Sequence, residues 1–230
     1  MINYVLCKYC SSIDGNFRWL PKSVNSYSEI IERKIVLNNN TYQYSLNKNI
    51  SYSLQYLEYL SKCFDELNLT SVLYTLNVKF FLITAASIIE AILYHEIKSN
   101  NLQNKSVWNF IKKMISNGNI EEKSIRLETS IFEECAEKEE DMTFDQMLSK
   151  IESKKLLGED HNIYAKINIL RKLRNKVHLQ LSNSKDDNDY FNFDYRRLTL
   201  AKKTLLDILI YYFSLKKEDV ENCFYFLKEE

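Results

Sequence analysis

Three glycines and one proline are spread over 230 residues. Tight β-turns lean on both types, glycine for its access to positive φ and proline for its fixed φ. A chain this poor in both is expected to join its elements through helix ends and short polar loops. The expected class is therefore all-α. Abundant Tyr, Phe and Ile leave room for short strands, mainly near the N-terminus.

Helical periodicity places the elements. Residues 1–48 are the least helical part: "GNFRWLP" and "NNNTYQYSLNKN" read as turn and linker, and the segment is expected to be an N-terminal extension or cap. Residues 49–230 read as one helical domain. Its first helix is expected over 50–67, where Tyr52, Tyr56, Tyr59, Leu60 and Cys63 recur at spacings of three or four and define one face. A second spans roughly 70–98, and its middle, Phe80 to Leu93, is apolar nearly all round, as in a helix surrounded by others. A third fits 106–116, stopped by Asn117-Gly118. The acidic segment beyond it reads either as a solvated loop or as a poorly packed helix. Thr143 to Gln146 carries a capping-box pattern, with Gly158 as the expected C-cap. Helices over 162–181 and 194–215 follow, separated by the polar loop 182–189. The expected architecture is an up-and-down bundle of four to six helices behind an irregular N-terminal extension.

The chain has a formal net charge of zero, which disfavours a uniformly basic nucleic-acid binder. The distribution is uneven. Residues 121–145 hold ten carboxylates against three basic side chains, and residues 146–179 hold eight basic against three acidic ones. Local potential steers a polyanion more than net charge does. Five cysteines are scattered at positions 7, 10, 63, 135 and 223. "MINYVLCKYC" lacks the basic start and long apolar core of a signal peptide. The most apolar run, "FFLITAASIIEAIL", carries a glutamate and is short for a bilayer. The expectation is a reduced, cytoplasmic protein with no membrane partner.

One stretch concentrates chemistry. "RKLRNKVHL", residues 171–179, puts Arg171, Arg174, Asn175 and His178 into eight positions of an otherwise apolar helical pattern. At about 100° per residue, with Arg171 at zero, Asn175 falls near +40°, His178 near −20° and Arg174 near −60°. Leu170, Leu173 and Val177 lie between about 200° and 260° and form the buried stripe. The polar strip has two readings. It is a solvated basic face, as on any amphipathic helix, or it is a site that holds a phosphate and moves a proton. Histidine is the side chain whose ordinary pKa suits the second task. Glu90 interrupts the apolar segment "ITAASIIEAILY". Its nearest same-face cation, Lys79, is about 16 Å away along the helix. Either Glu90 reaches the surface through a gap, or a cation from another helix, Arg171 or Arg174, meets it.

These residues resemble the HEPN superfamily, in which an arginine, four to six residues and a histidine lie on the penultimate long helix of an α-bundle. Arg171 and His178 are separated by six residues, "LRNKVHL" is similar to the RN…H core of bacterial members, and "ASIIEAILYHEI" resembles the glutamate-bearing helix that precedes it. The resemblance covers about residues 50–215. It departs from the pattern at two points: Arg174 stands only three residues before His178, and Lys172 follows Arg171 where a polar residue is usual. Each arginine thus departs from the pattern in one respect, and the resemblance leaves the motif position open between them. The resemblance implies a homodimer with the two motifs facing each other, and metal-independent endoribonuclease activity on single-stranded RNA. Arg171, Arg174, Asn175, His178 and Glu90 would form the site, with no cofactor. It further implies a toxin or antiphage-defence effector whose partner is a nucleotidyltransferase-type antitoxin or another defence protein. The alternative within the same family is a non-catalytic protein- or RNA-binding module. An unrelated helical interaction protein is the reading outside it.

Other candidates are weaker. Cys7 and Cys10 form a CxxC, but a structural zinc usually takes four ligands and no second CxxC exists. His95 reads as a helix-end cation favoured by the dipole, and His161, beside Glu159 and Asp160, as solvated. "LIYYF" in the last long helix reads as core. No phosphate loop, dinucleotide fingerprint, Gly-x-Ser-x-Gly or HExxH motif occurs.

Overall fold

The computed structural model describes residues 19–36, 41–177 and 187–228. It corrects the all-α expectation. Among the described residues, eight α-helices are joined by a two-stranded antiparallel hairpin, so the architecture is mixed. In chain order the elements are α1 (Val24–Ile31), α2 (Thr41–Glu66), α3 (Ser71–Ser99), β1 (Asn104–Ile120), β2 (Lys123–Glu140), α4 (Phe144–Ser153), α5 (His161–Arg174), α6 (Asp189–Asn192), α7 (Tyr195–Phe213) and α8 (Lys217–Cys223).

The centre is α3. Thr70 caps its N-terminus, and the helix then buries apolar side chains on every side, from Val78 and Phe81 through Ala85, Ile89 and Leu93 to Ile97. That is possible because α2, α4, α5 and α7 all pack around it. The same length and hydropathy would suit a bilayer, yet within this fold the helix is sheathed by its neighbours. The segment from residue 19 to 36 is woven into this bundle. Tyr27, Ile31 and Ile35 are fully buried, and Glu58 of α2, itself buried, accepts hydrogen bonds from the Lys22 amide, Tyr27 and Tyr225. One buried carboxylate thus ties both ends of the described chain to α2.

The tyrosines of α2 point outward, contrary to the face read from their spacing. Tyr52, Tyr56 and Tyr59 are exposed while Ile50, Leu54, Leu57 and Leu60 are buried. Apolar periodicity was present twice on this helix, and the aliphatic set won the core because Ile and Leu carry no hydroxyl to satisfy. At α4 the capping box is present, with Thr143 and Gln146 bonding reciprocally. Gly158, expected to cap that helix, instead lies in the turn beyond it at φ +93°, where the Tyr164 hydroxyl donates to its carbonyl.

The hairpin replaces the helix expected over 106–116 and the loop or helix expected after it. Two physical facts explain the difference. Val107, Trp108, Phe110, Ile111, Ile115 and Ile120 are β-branched or aromatic, types that favour an extended, half-covered surface. The turn is made without glycine at its centre. Glu121 and Glu122 both take positive φ, 48° and 65°, between the paired Ile120 and Lys123. This is the two-residue geometry that matches strand twist. Glycine scarcity was therefore no bar to a hairpin. Much of the acidic stretch read along the chain lies on β2, where Glu137 and Glu128 meet Lys105 and Lys113 of β1, while the basic stretch lies beyond it on α4 and α5.

Candidate functional site

The candidate motif lies on the last turn of α5. Asp160 caps the N-terminus of this helix. Ile163, Ile167, Leu170 and Leu173 bury its apolar stripe against α3, α4 and α7. The α-helix ends at Arg174, earlier than the expected 181, and Asn175 to Val177 continue as a 3₁₀ turn. Arg171, Lys172 and Arg174 all stand in the final turn, where the helix dipole favours positive charge. That placement by itself suits either a solvated basic end or a phosphate site.

The two arginines share a face but meet different helices. Arg174 Nη2 donates to Glu90 Oε2 of α3 at 3.2 Å, so the cross-helix partner expected for Glu90 is present. Glu90 is half-buried rather than sealed, so α3 leaves it a path toward water as well as a cation. Arg171 turns toward α4. Its Nη2 lies 2.9 Å from Asp145 Oδ1 and 2.8 Å from Asn168 Oδ1, and its Nε also donates to Asn168. The Arg171 side chain is 18% exposed and that of Arg174 is 39% exposed. Arg174 is therefore the more accessible guanidinium, and Arg171 the more fully engaged one.

Asn175 is exposed, and its backbone N–H closes the helix onto the Arg171 carbonyl. Lys172 is exposed. Lys176 is engaged: its Nζ pairs with Asp187 at 2.6 Å and with Asn192 at 2.9 Å, tying the 3₁₀ turn to α6. Lys79, nearly fully buried on α3, pairs with Asp189 of α6 at 2.9 Å. Lys176 thus ties α6 to the end of the motif helix, and Lys79 ties it to α3. His178 lies outside the described residues, as do Cys7 and Cys10.

Asp145 and Asn168 were not singled out from the sequence. Asn168 stands three residues before Arg171, a spacing at which side chains meet on a helix. Asp145 lies in the first turn of α4, where a carboxylate is already explained by the dipole, so its second role left no signal.

His95 corrects an expectation. It is buried near the C-terminal end of α3, with its Nδ1 2.6 Å from the Tyr212 hydroxyl of α7. Burial pushes its pKa below the ordinary value, with Glu96 opposing that shift and Lys34 adding to it. Burial therefore opposes the charged ring that the helix-end reading expected. Burial also raises the Tyr212 hydroxyl, and the neighbouring Glu96 carboxylate adds to the rise. Lys34 closes the cluster 3.6 Å from Glu96 and 4.2 Å above the Tyr212 ring. His161 is exposed beside Glu152. In "LIYYF", Tyr212 and Phe213 are core, and Tyr211 is exposed.

No protein-family model, curated protein or solved structure matches the chain.

Proposed function

We propose that this chain is a HEPN-type endoribonuclease that cleaves single-stranded RNA without a metal cofactor, acting in the cytoplasm as a toxin or antiphage-defence effector. The observation that carries the reading is the Arg174–Glu90 pair. An accessible guanidinium is anchored by a carboxylate of the central helix four positions before His178, with Arg171 one turn behind it. In this reading His178 removes the proton of a ribose 2′-OH, or delivers one to the leaving 5′-oxygen. The 2′-oxygen forms its bond to phosphorus as the P–O5′ bond breaks, leaving a 2′,3′-cyclic phosphate on one fragment and a 5′-hydroxyl on the other. Arg174 holds the phosphate as charge develops on it. Glu90 fixes the guanidinium, Arg171 braces the same turn and Asn175 orients phosphate or imidazole. A homodimer would bring a second motif to the cleft. A nucleotidyltransferase-type antitoxin or another defence protein is the proposed partner.

A second reading has its own support. Arg171 is already engaged by Asp145 and Asn168, as a residue that holds α4 to α5 would be. That favours a non-catalytic HEPN module that binds protein or RNA.

Incubation of the purified chain with labelled single-stranded RNA in EDTA separates the two. The ribonuclease reading expects cleavage with cyclic-phosphate ends and intact DNA controls. His178→Ala should lose roughly two to four orders of magnitude in rate, and Arg174→Ala should lose more than Arg171→Ala. Lys172→Ala should change little. If the chain cleaves no RNA, or if His178→Ala cleaves as well as the parent, the binding-module reading replaces it.

A further inference from the structure

The start of α3, the short α6 and the start of α7 enclose a cavity of about 450 Å³. That volume is in the usual range for a small-molecule site. Among the described residues nine line it, and five of these are aromatic: Tyr74, Tyr190, Phe191, Phe193 and Tyr195. Exposed apolar residues scattered singly call for no explanation. These rings converge instead, from two parts of the chain far apart in sequence. Phe193 is fully buried, and Tyr74 is half-buried with the Phe64 ring edge-on to it at 5.3 Å. Tyr190 and Phe191 are more than half exposed, and their rings stand nearly perpendicular, 5.3 Å apart. The α6 side is held in place. Lys79 pairs with Asp189 and sits 5.4 Å from the Phe193 ring centroid, and Lys176 holds Asn192. Polar groups meet the rings. Burial raises the Tyr74 hydroxyl, and Tyr195 and Asp194 add to the rise, so these three polar ends lie close together. Aromatic faces with a few convergent polar groups are the makings of a ligand site.

We propose that this cavity binds a nucleobase, and guanine in preference to the others. Every base offers a flat face that stacks on aromatic rings. Rings with a carboxylate also suit a quaternary ammonium, but three features disfavour a cation. Asp194 is already the cap of α7, accepting the Arg197 amide at 2.9 Å. Ser71 and Tyr195 are the first residues of α3 and α7, so both helices begin at the cavity and bring positive partial charge to it. Arg196 and Arg197, both exposed, follow directly on α7. A neutral ring meets no such opposition. The preference for guanine comes from Asp194. A carboxylate only accepts hydrogen bonds, and it has about four lone-pair sites, so Asp194 keeps capacity beyond its capping bond. Guanine presents two adjacent donors, N1–H and N2–H, to such a group. Adenine and cytosine each set one donor beside a ring-nitrogen acceptor, and uracil sets one between two carbonyls. Thr75 and Glu90 are 15 residues apart on α3, about 22 Å along its axis. The cavity is therefore separate from the arginine motif and does not rest on the ribonuclease reading. The base can come from a free nucleotide or from a nucleic-acid strand.

Isothermal titration of the full-length chain tests this. The probes are guanosine monophosphate, adenosine monophosphate and two short thymine deoxyoligonucleotides, one with a central guanine and one with a central adenine. A deoxyoligonucleotide lacks the 2′-hydroxyl, so its binding reads the cavity whether or not the chain cleaves RNA. Guanine ligands are expected to bind about 10-fold more tightly than their adenine counterparts, as hydrogen bonds to a charged acceptor warrant. Phe191→Ala, at a position 57% exposed and so tolerant of truncation, should weaken guanine binding about 5- to 150-fold. Asp194→Asn keeps a residue type that caps helices and should bring guanine and adenine within about threefold of each other. Tyr52→Ala, exposed on α2, should change nothing. Far-UV circular dichroism should show the helices unchanged in each variant. Guanosine monophosphate binding with this dependence identifies a free nucleotide as the source. The same dependence confined to the oligonucleotide identifies a strand. Absence of binding, equal affinity for the two bases, or binding that Phe191→Ala and Asp194→Asn leave unchanged overturns the proposal. So does tighter binding of choline than of guanosine monophosphate.

Discussion

Glu90 sits in a helix whose neighbours are almost all apolar, and that placement leaves it two ways to be stable: a cation or a route to water. The structure supplies some of each, and the two are worth different amounts. With Arg174 more than a third exposed, solvent screens the pair, and its contribution to folding is about 0.5 kcal/mol. Its larger consequence is positional. Glu90→Gln is therefore expected to shift a urea midpoint only slightly, yet to lower RNA cleavage well beyond the effect of Glu139→Gln on the exposed hairpin. Equal rates for the two variants would remove Glu90 from the site. His95 carries a prediction of a different kind. Its folded-state pKa is depressed by burial from an ordinary value of 6.5. Below that value the unfolded chain takes up a proton that the folded chain refuses. Stability is fully present above about pH 6.5 and falls as pH drops through the window down to the folded pKa. Urea titrations at pH 7.5, 6.5 and 5.5 should show that loss, and His95→Gln should flatten this part of the profile. Lys34, Glu96 and Tyr212 face the ring, and among them only Glu96 is a carboxylate.

The elements differ in how plainly they were written in the chain, and the hairpin shows why. An all-round apolar run such as Phe80 to Leu93 admits few outcomes, and α3 follows from it. The cap at Thr143 and the stripe of Leu170 and Leu173 were equally local. The segment 106–116 was not, because its apolar residues satisfy a helical spacing as well as an extended one, and the partner strand that decides lies beyond the turn. The turn itself hid its nature, since glutamate is rarely found at positive φ. That placement is strained and correctable. Glu121→Asn with Glu122→Gly matches the residue types that this turn geometry favours. The change should stabilise the ribbon by about 0.4–1 kcal/mol, roughly a two- to fivefold slowing of amide exchange in residues 112–128. Unchanged or faster exchange would mean that the turn does not limit the hairpin. The site was legible to the same degree as the elements. A carboxylate in an apolar helix demands a partner, which pointed from Glu90 to the arginines. The Asp145–Arg171 contact joins residues each already explained by its own helix, and only the packing of α4 on α5 brings them together.

At the scale of the whole molecule the fold divides into a bundle that buries its apolar residues and a ribbon that does not. In the bundle, α3 is enclosed by four helices, and Glu58, Lys79 and Lys176 fasten the peripheral segments to it. The link to the ribbon is slender: Lys150 of α4 donates to the Leu102 carbonyl and to Asn104 Oδ1 at the base of β1. Asn104 and Glu140 face each other as the first cross-strand pair, so the chain leaves and re-enters the bundle at nearly the same point. Replacing residues 105–139 by a short Gly-Ser linker should then close the gap without disturbing α3 or α4. Loop-closure entropy changes only slowly with length, and little apolar area is lost from the core. The excised chain is expected to keep its helical circular dichroism and a thermal midpoint within a few degrees of the parent. A collapse of the thermal transition would show instead that the hairpin is part of the folding unit, and that the bundle depends on contacts made beyond the base of β1.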